Sequence, residues 1–133
     1  SRAAMRVFVD TNVLIAVITD EPETAETAAA LLDSDHECIT SLLNLMELRT
    51  VLTKKERLEL DRVQEIQEEI TSDVDVVIHD TSDMVDANRI QLDSLLYPLD
   101  SLVLAAADAQ DVTLASFDSE LQENGAVAPA DLV

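Results

Sequence analysis

Four acidic residues stand beside or within segments that are otherwise strongly apolar. Asp10 and Asp118 each follow a short apolar run, Glu47 lies inside a long one, and Asp100 comes just before an alanine-rich one. Carboxylates gathered in apolar surroundings cannot all ionise without a counter-cation. Mg²⁺ and Mn²⁺ accept oxygen ligands, retain several waters and commonly act on phosphates. If folding brings these residues together, they predict a divalent-metal site that activates water for hydrolysis of a phosphodiester.

Each of these acids also has an ordinary structural explanation. A lone aspartate at the end of a strand usually caps the next helix, which applies to both strand-end aspartates. Glu47 could pair with Arg49 or Lys54 on its own helix. Asp100, in the first turn after Pro98, could simply favour the helix dipole. These explanations stay open for each residue alone, and the joint placement of all four favours a shared site.

The elements that must position these acids alternate regularly between strand and helix. Short apolar runs predict strands over residues 6–9, 37–40, 73–79 and 112–117, with 126–127 as a short fifth candidate. Helices are predicted over 12–18, 22–32 (with Pro22 at its first position), 41–55 (capped by Ser41), 58–71, 81–95 and 98–110. This order is typical of a three-layer α/β/α sandwich with a mainly parallel four- to five-stranded sheet. Ligands of such sheets bind at the carboxyl ends of the strands, where two of the acids fall.

Length and composition exclude several other classes of site. The chain has 133 residues, which suits one domain; we expect residues 1–4 to be an appended leader and 5–133 to form the domain. A single glycine excludes Gly-rich phosphate-binding loops. A single cysteine excludes disulfides and Cys-based zinc sites and is consistent with a cytoplasmic location. No apolar run is long enough to predict a membrane span, so no membrane partner is expected.

The chain is strongly acidic. It has 28 acidic and 8 basic residues, for a net charge of −20. Such a charge should repel nucleic acid at low salt. The composition also resembles that of proteins from salt-in halophiles, where a Debye length of about 3 Å in molar salt would screen the repulsion. Under this halophilic interpretation, the acidity reports the solvent and not the binding partner.

Three segments carry the motifs of interest: VFVDTNVLIAVI (7–18), TSLLNLMELRTVL (40–52) and PLDSLVLAAADAQDVTLASFD (98–118). Together they resemble the PIN domain family, and most closely the VapC toxins of bacterial and archaeal toxin–antitoxin pairs. The resemblance extends from Met5 to about Leu121. It implies a Mg²⁺- or Mn²⁺-dependent endoribonuclease that hydrolyses RNA, forms a homodimer and is inhibited by a cognate antitoxin. Carried over residue by residue, it implies a metal-binding and catalytic quartet and three polar supports. The quartet is Asp10, Glu47, Asp100 and Asp118; the supports are Thr11, Asn12 and Ser116. Many family members have Thr where this chain has Ser116, which keeps the hydroxyl.

The few cations suggest where RNA could bind. Five of the eight basic residues follow closely after Glu47; they are Arg49, Lys54, Lys55, Arg57 and Arg62. We take Arg49, Lys54 and Arg57 as candidate RNA-binding residues. Two alternatives stay open: a charge-balanced pair of helices, and a surface for the dimer or the antitoxin. No aromatic residue accompanies the cations, so base stacking is not expected to contribute much.

Other chemistry-bearing residues are better explained by structure. His36 and His79 have no metal-ligand partner at helical spacing, and Cys38 is interpreted as a core residue. Asp80 begins a Thr-Ser-Asp helix start and is interpreted as a cap. Asp93 resembles Asp100 in its Ser-Leu context, but no alanine-rich helix follows it.

Other functions remain alternatives to a VapC-like toxin. A stand-alone PIN nuclease of RNA processing or decay would carry the same quartet, and a non-catalytic PIN scaffold would have no need of it. A receiver-like regulatory domain would need two adjacent acids after the first strand and a late lysine, and the chain has neither. A haloacid-dehalogenase phosphatase would need Asp-x-Asp there, where the chain has Asp10-Thr11-Asn12.

Overall fold

The structure is a computed structural model that describes residues 3–133. Ser1 and Arg2, half of the leader predicted over residues 1–4, lie outside the described residues. The strands are β1 (Arg6–Val9), β2 (Glu37–Ser41), β3 (Asp75–Val77) and β4 (Thr113–Ala115). The helices are α1 (Thr11–Ile18), α2 (Ala25–Leu32), α3 (Leu42–Thr50), α4 (Leu60–Asp73), α5 (Thr81–Ser94), α6 (Pro98–Ala109) and α7 (Ser119–Glu123). A π-helical turn (Val51–Lys55) follows α3, and a 3₁₀ turn (Pro129–Leu132) ends the chain.

The four strands form one parallel sheet in the order β3-β2-β1-β4. This confirms the predicted α/β architecture with a parallel sheet flanked by helices. The predicted fifth strand is reduced to a single parallel bridge between Ala115 and Val127. Because β1 and β2 each lie between two partners, their carboxyl ends are more enclosed than that of the edge strand β3.

Alternating side chains of β1 feed two separate cores, one on each face of the sheet. Val7 and Val9 are fully buried in the core that is covered by α1, α2, α3 and α4. Phe8 is fully buried in the core that is covered by α6 and by Leu121 of α7. The alanines of α6 let that helix lie close to the sheet, which brings its first turn to the end of β1.

Three predicted boundaries were wrong, each for a local reason. The second helix begins at Ala25 instead of Pro22, because Glu23 has a left-handed backbone with φ of 75°. The long third helix changes to the π-helical turn after Thr50 and is followed by left-handed Arg57, with φ of 56°. The third strand covers only Asp75–Val77 of the predicted 73–79, since Asp73 is still in α4 and the strand is paired on one side only.

Within residues 3–133, no single helix is long and apolar enough to cross a membrane. Only α5 and α6 taken together pass that test by length and composition, and they are bent by 118° at their junction.

Candidate active site

Asp10 lies at the carboxyl end of β1 and is 8% exposed. Its Oδ1 accepts hydrogen bonds from the Thr11 backbone N–H at 2.8 Å and from Asn44 Nδ2 at 3.3 Å. Its Oδ2 accepts from the Ser116 hydroxyl at 2.8 Å and from Asn12 Nδ2 at 3.5 Å. Asp10 therefore does cap α1, as the structural explanation requires, and it also sits among side-chain donors from distant parts of the chain.

Two opposing influences act on the Asp10 carboxyl. Burial raises its pKa, and the negative charge of Asp118 adds to the rise. Hydrogen bonds from Ser116, Thr11 and Asn44 lower the pKa, and the net shift is upward. A cation placed at this carboxylate would therefore be bound favourably, because it would offset the cost of keeping a buried charge.

Glu47 projects from α3 and is partly buried. The Thr11 hydroxyl lies 3.4 Å from its Oε1. Burial raises the pKa of Glu47, and the charges of Asp10 and Asp100 raise it further. Among the described residues, no cation lies within salt-bridge distance of Glu47. The predicted alternative that Glu47 pairs with Arg49 is wrong, because Arg49 Nη1 donates to Gln67 Oε1 on α4 at 3.0 Å.

Asp100 occupies the first turn of α6, directly after Pro98 at the helix start. Burial raises its pKa to about 6, and the charges of Asp10, Asp118 and Glu120 contribute to the rise. The charges of Asp10 and Asp118 act on this carboxyl, so the first turn of α6 lies within electrostatic range of the ends of β1 and β4.

Asp118 follows β4 and caps α7. Its Oδ1 accepts from the backbone N–H groups of Glu120 at 2.8 Å and Leu121 at 3.2 Å. Its own N–H donates to the Ser116 hydroxyl at 3.1 Å, the same hydroxyl that donates to Asp10. Asp118 thus combines a capping role with a place at the acidic edge.

The structure brings all four predicted acids to one edge of the sheet. The charge of Asp118 raises the pKa of Asp10, and the charge of Asp10 raises the pKa values of Glu47 and Asp100. We call Asp10, Glu47, Asp100 and Asp118 the acidic edge. Within residues 3–133, no three His, Cys, Asp or Glu side chains lie close enough together to form a ready-made metal site. The acids are thus neighbours in electrostatic terms without forming a closed ligand sphere.

The three predicted polar supports all contact this edge. Thr11 contacts Asp10 and Glu47, while Asn12 donates to Ser116 Oγ at 3.0 Å and accepts from the Phe117 N–H at 3.2 Å. Ser116 links Asp10 to Asp118.

Sequence reasoning missed one residue of this edge, Asn44. It is fully buried and contacts Asp10, Thr11 and Ser41. The available signal was an asparagine inside an otherwise apolar run, three residues before Glu47.

The cations that follow Glu47 divide into two groups. Arg62 forms salt bridges with Glu65 at 3.2 Å and Glu69 at 3.8 Å, which fits the charge-balanced alternative for that residue. Lys54 and Lys55 lie on the exposed π-helical turn, and Arg57 is exposed just after it. Among the described residues, none of these three is within salt-bridge distance of an acid.

The residues that were interpreted as structural lie away from the acidic edge or in capping roles. His36 accepts from the Met5 N–H and donates to the Leu132 carbonyl, and Cys38 is buried in the core. Asp80 forms a reciprocal capping box with Asp83 at the start of α5. The His79 ring differs, because neither of its buried nitrogens has a hydrogen-bond partner in the described part of the chain.

The comparison with family models identifies one family. A family model of the PIN domain matches residues 7–127. Among solved structures, the chain resembles a toxin–antitoxin complex from Klebsiella pneumoniae, with 19% identity and a TM-score of 0.73 over 96% of this chain and 98% of that one. It also resembles VapC20 from Mycobacterium tuberculosis, a toxin that cleaves the sarcin–ricin loop, with 20% identity and a TM-score of 0.76 over 91% and 96% of the two chains.

A third similar structure is VapBC2 from Rickettsia felis bound to a DNA fragment from its promoter. The identity is 17% and the TM-score 0.69, over 90% of this chain and 92% of that one. The comparison with curated proteins gave no match. At these identities, the similar structures establish the shared fold.

Proposed function

Because this chain belongs to the PIN domain family, we propose that it is a metal-dependent endoribonuclease that hydrolyses RNA phosphodiester bonds. The observation that carries the proposal is the acidic edge, where burial and neighbouring negative charge raise the pKa of three carboxyls that have no cation within salt-bridge distance among residues 3–133. Structural ion pairs do not explain such a cluster, and perturbed carboxyls gathered at one place are typical of functional sites.

The donor set fits a hard divalent ion. All four side chains of the acidic edge offer only carboxylate oxygens, which Mg²⁺ and Mn²⁺ prefer. The absence of a ready-made three-ligand group within residues 3–133 suits an ion that keeps several of its waters and contacts some carboxylates through them. When bound, such an ion would neutralise the edge and supply activated water beside a phosphodiester.

The residues around Asp10 orient its carboxylate in the absence of a bound ligand. Donors on both sides hold the Asp10 carboxylate in one orientation, with Ser116 on one oxygen and the Thr11 N–H on the other. Thr11 also reaches Glu47, so two carboxylates, one at the end of β1 and one on α3, share one support. A preorganised edge of this kind lowers the cost of gathering like charges at the moment of binding.

The proposed RNA path runs along α3 to the acidic edge. Lys54 and Arg57 are exposed and free of acidic partners among the described residues, so they are available to phosphates. Arg49 remains a candidate, although its contact with Gln67 draws it toward α4. Phosphate contacts at these positions would orient the RNA without building the ion site.

We also propose that the nuclease is the toxin of a VapBC-type pair. The similar structures that carry toxin–antitoxin names support a cognate antitoxin as partner. A direct check is co-expression with the product of a small reading frame adjacent to this gene. A VapBC-type toxin should co-purify with that product and lose RNA cleavage, whereas a stand-alone PIN nuclease should do neither.

A homodimer is the proposed assembly. Large apolar side chains are exposed on α5 and just after it; they are Met84, Val85, Leu92, Leu95, Tyr97 and Leu99. Leu92 is 82% exposed, and Leu92→Asp should shift the dimer to monomer in sedimentation at molar KCl. Leu60→Asp on α4 is the matched control, since Leu60 is also exposed, at 61%, but lies outside this patch.

The test of the nuclease is incubation with total RNA in molar KCl, with Mn²⁺ or with a chelator, followed by mapping of the cut sites. We expect cleavage with Mn²⁺ and none with the chelator. Glu47→Gln should remove cleavage, while Glu56→Gln, an exposed glutamate beyond the same helix, should keep it. Full cleavage by the wild type in excess chelator would refute the proposal.

A further inference from the structure

Asn44 is a fully buried polar residue in the first turn of α3, the helix that also carries Glu47. Its side chain contacts Asp10 at the end of β1. An amide in this position is costly unless each of its hydrogen-bonding groups finds a partner. The partners that Asn44 finds lie outside α3: Asp10 of the acidic edge, Thr11 at the start of α1 and Ser41 at the end of β2.

The amide uses every group it has. One Nδ2 hydrogen is directed to Asp10 Oδ1 at 3.3 Å and the other to Thr11 Oγ1 at 2.8 Å. Its Oδ1 accepts from the Ser41 hydroxyl, and its backbone N–H donates back to Ser41 Oγ at 3.1 Å. Since an ionised carboxylate can only accept, the nitrogen of the amide must face Asp10, and Ser41 must face the oxygen.

The same amide reaches Glu47 through Thr11. Thr11 Oγ1 accepts from Asn44, so its own hydrogen is free to bond elsewhere. Two acceptors lie 3.4 Å from this oxygen: Glu47 Oε1 and the Asn44 carbonyl. We propose that Asn44 is a positioning residue that sets the orientation of Asp10 directly and of Glu47 through Thr11. This inference rests on the proposed function, in which those carboxylates hold the divalent ion.

Helix capping does not account for the Asn44 side chain. The cap of α3 is Ser41, whose hydroxyl accepts from the Asn44 backbone N–H and would do so with any side chain at position 44. The amide is needed for the contacts to Asp10 and Thr11, and its oxygen accepts from the Ser41 hydroxyl. It holds one oxygen of Asp10 while Ser116 holds the other, so the carboxylate is fixed from both sides.

The test uses Asn44→Leu, which keeps a similar volume and removes both donors. Thr40→Val is the matched control: Thr40 is also fully buried and donates to the Val9 carbonyl at 3.0 Å, without contacting a carboxylate. Both variants should lose thermal stability. Only Asn44→Leu should lose Mn²⁺ affinity, by about 10- to 100-fold, measured by calorimetry without RNA. Its kcat for RNA cleavage should fall with it, while KM for RNA stays unchanged.

A second variant covers the case in which Asn44→Leu does not fold. Ser41→Ala keeps the amide but removes the hydroxyl that holds its orientation, and we expect a smaller loss of Mn²⁺ affinity, of about 3- to 10-fold. If the folded variant, Asn44→Leu or else Ser41→Ala, binds Mn²⁺ as tightly as Thr40→Val and keeps its kcat, the inference is overturned.

Failure of the proposed function gives a different result. In that case the wild type itself neither binds Mn²⁺ nor cleaves RNA. Crystal structures of the metal-free wild type and of the folded variant then decide the positioning role by themselves. A rotated Asp10 carboxylate in the variant supports the inference, and an unchanged orientation of both Asp10 and Glu47 overturns it.

Discussion

Two strand ends on the same edge of the sheet carry an aspartate, but the two aspartates differ in burial and in hydrogen-bond partners. Asp10 follows β1 and Asp80 comes shortly after β3, and each caps the helix that follows. Asp10 is 8% exposed and accepts from four donors, whereas Asp80 is exposed and serves its own helix start. The difference comes from position in the sheet, because β1 lies between β2 and β4 while β3 is an edge strand.

The electrostatics of the two carboxyls follow from this difference. Burial raises the pKa of Asp10. Hydrogen bonds from the Ser82 hydroxyl and the Asp83 N–H lower the pKa of Asp80, which is fully exposed. An exposed, hydrogen-bonded carboxylate is stable by itself in water, but a buried one among other carboxylates favours a cation. The capping geometry alone therefore does not distinguish a site residue from a structural one.

The largest expected effect comes from making the same substitution at both strand ends. Asp10→Asn should reduce RNA cleavage by more than about 100-fold, since loss of a direct metal ligand should exceed the effect of losing a surrounding partner. Asp80→Asn should leave cleavage and melting temperature nearly unchanged, because asparagine caps a helix about as well as aspartate. Cleavage assays and thermal melts on both variants make the measurement.

The two results together can contradict the comparison. An Asp80→Asn variant that loses cleavage while it remains folded would place β3 at the site, and an active Asp10→Asn variant would remove β1 from it.

The sequence was sufficient to predict the residues of the acidic edge but not how deeply each strand end is buried. Apolar runs predicted β1 and its aspartate, and Ser41 and Asp80 were recognisable as caps from local patterns. The exposure of β3 was not predictable, because apolar Val76 and Val77 read as a buried strand and only the sheet order shows that one side lacks a partner. Local patterns carry capping information, whereas burial at a strand end depends on non-local pairing.

Asn44 and the start of α2 escaped prediction for related reasons. The contacts of Asn44 join it to residues more than thirty positions away, so no local spacing shows them. The helix at Ala25 starts late because of left-handed conformations at Asp20 and Glu23, which are uncommon for residues other than glycine. Both features arise from the tertiary arrangement.

A smaller effect is expected from the charges that we propose to guide RNA to the β1 side of the molecule. Reversal of Lys54 and Arg57 to Glu should weaken RNA binding by about 10-fold or more at low salt, since phosphate contacts are salt-dependent, and should leave Mn²⁺ affinity unchanged. Reversal of Arg6 and Arg89, which pair with acids elsewhere, is the matched control. Unaltered binding in the Lys54/Arg57 variant, or a change only in its oligomeric state, would assign this surface to a protein contact.

Salt should affect the thermal stability mainly by screening the repulsion between exposed carboxylates such as Asp80. The net charge is −20, and lowering KCl from molar to about 0.1 M extends the Debye length from about 3 to 10 Å. We therefore expect the melting temperature to fall as KCl is lowered, which thermal melts over a KCl series will measure. A melting temperature that does not respond to KCl would contradict the halophilic interpretation of the composition.

A still smaller effect concerns Asp100 at the acidic edge. Its pKa is raised to about 6 from an ordinary value of 3.8, so the folded metal-free protein binds more protons than the unfolded chain between these pH values. Stability should therefore fall as pH rises through this range. Asp100→Asn should raise the melting temperature at pH 8 and have little effect near pH 4, where the wild-type carboxyl is protonated. Asp93→Asn, at an exposed position on α5 outside the acidic edge, is the matched control.

The smallest expected effect lies at the other strand end and has the opposite sign. Burial lowers the pKa of His79 below 6.5, against the opposing charges of Asp83 and Asp80, and both ring nitrogens lack partners. Below pH 6.5 the unfolded chain therefore binds a proton more readily than the folded protein, so this group reduces stability as pH falls. Acidification should thus stabilise the β1 side through Asp100 and destabilise the β3 side through His79. His79→Leu removes two unsatisfied nitrogens together with the titration, so its melting temperature should exceed that of the wild type, and the excess should grow between pH 8 and pH 5.5. Cleavage should be unchanged, because His79 lies outside the acidic edge. If the difference in melting temperature between His79→Leu and the wild type stays constant over this pH range, His79 titrates alike in the folded and unfolded chains. The contrast between the two strand ends would then be confined to their carboxylates.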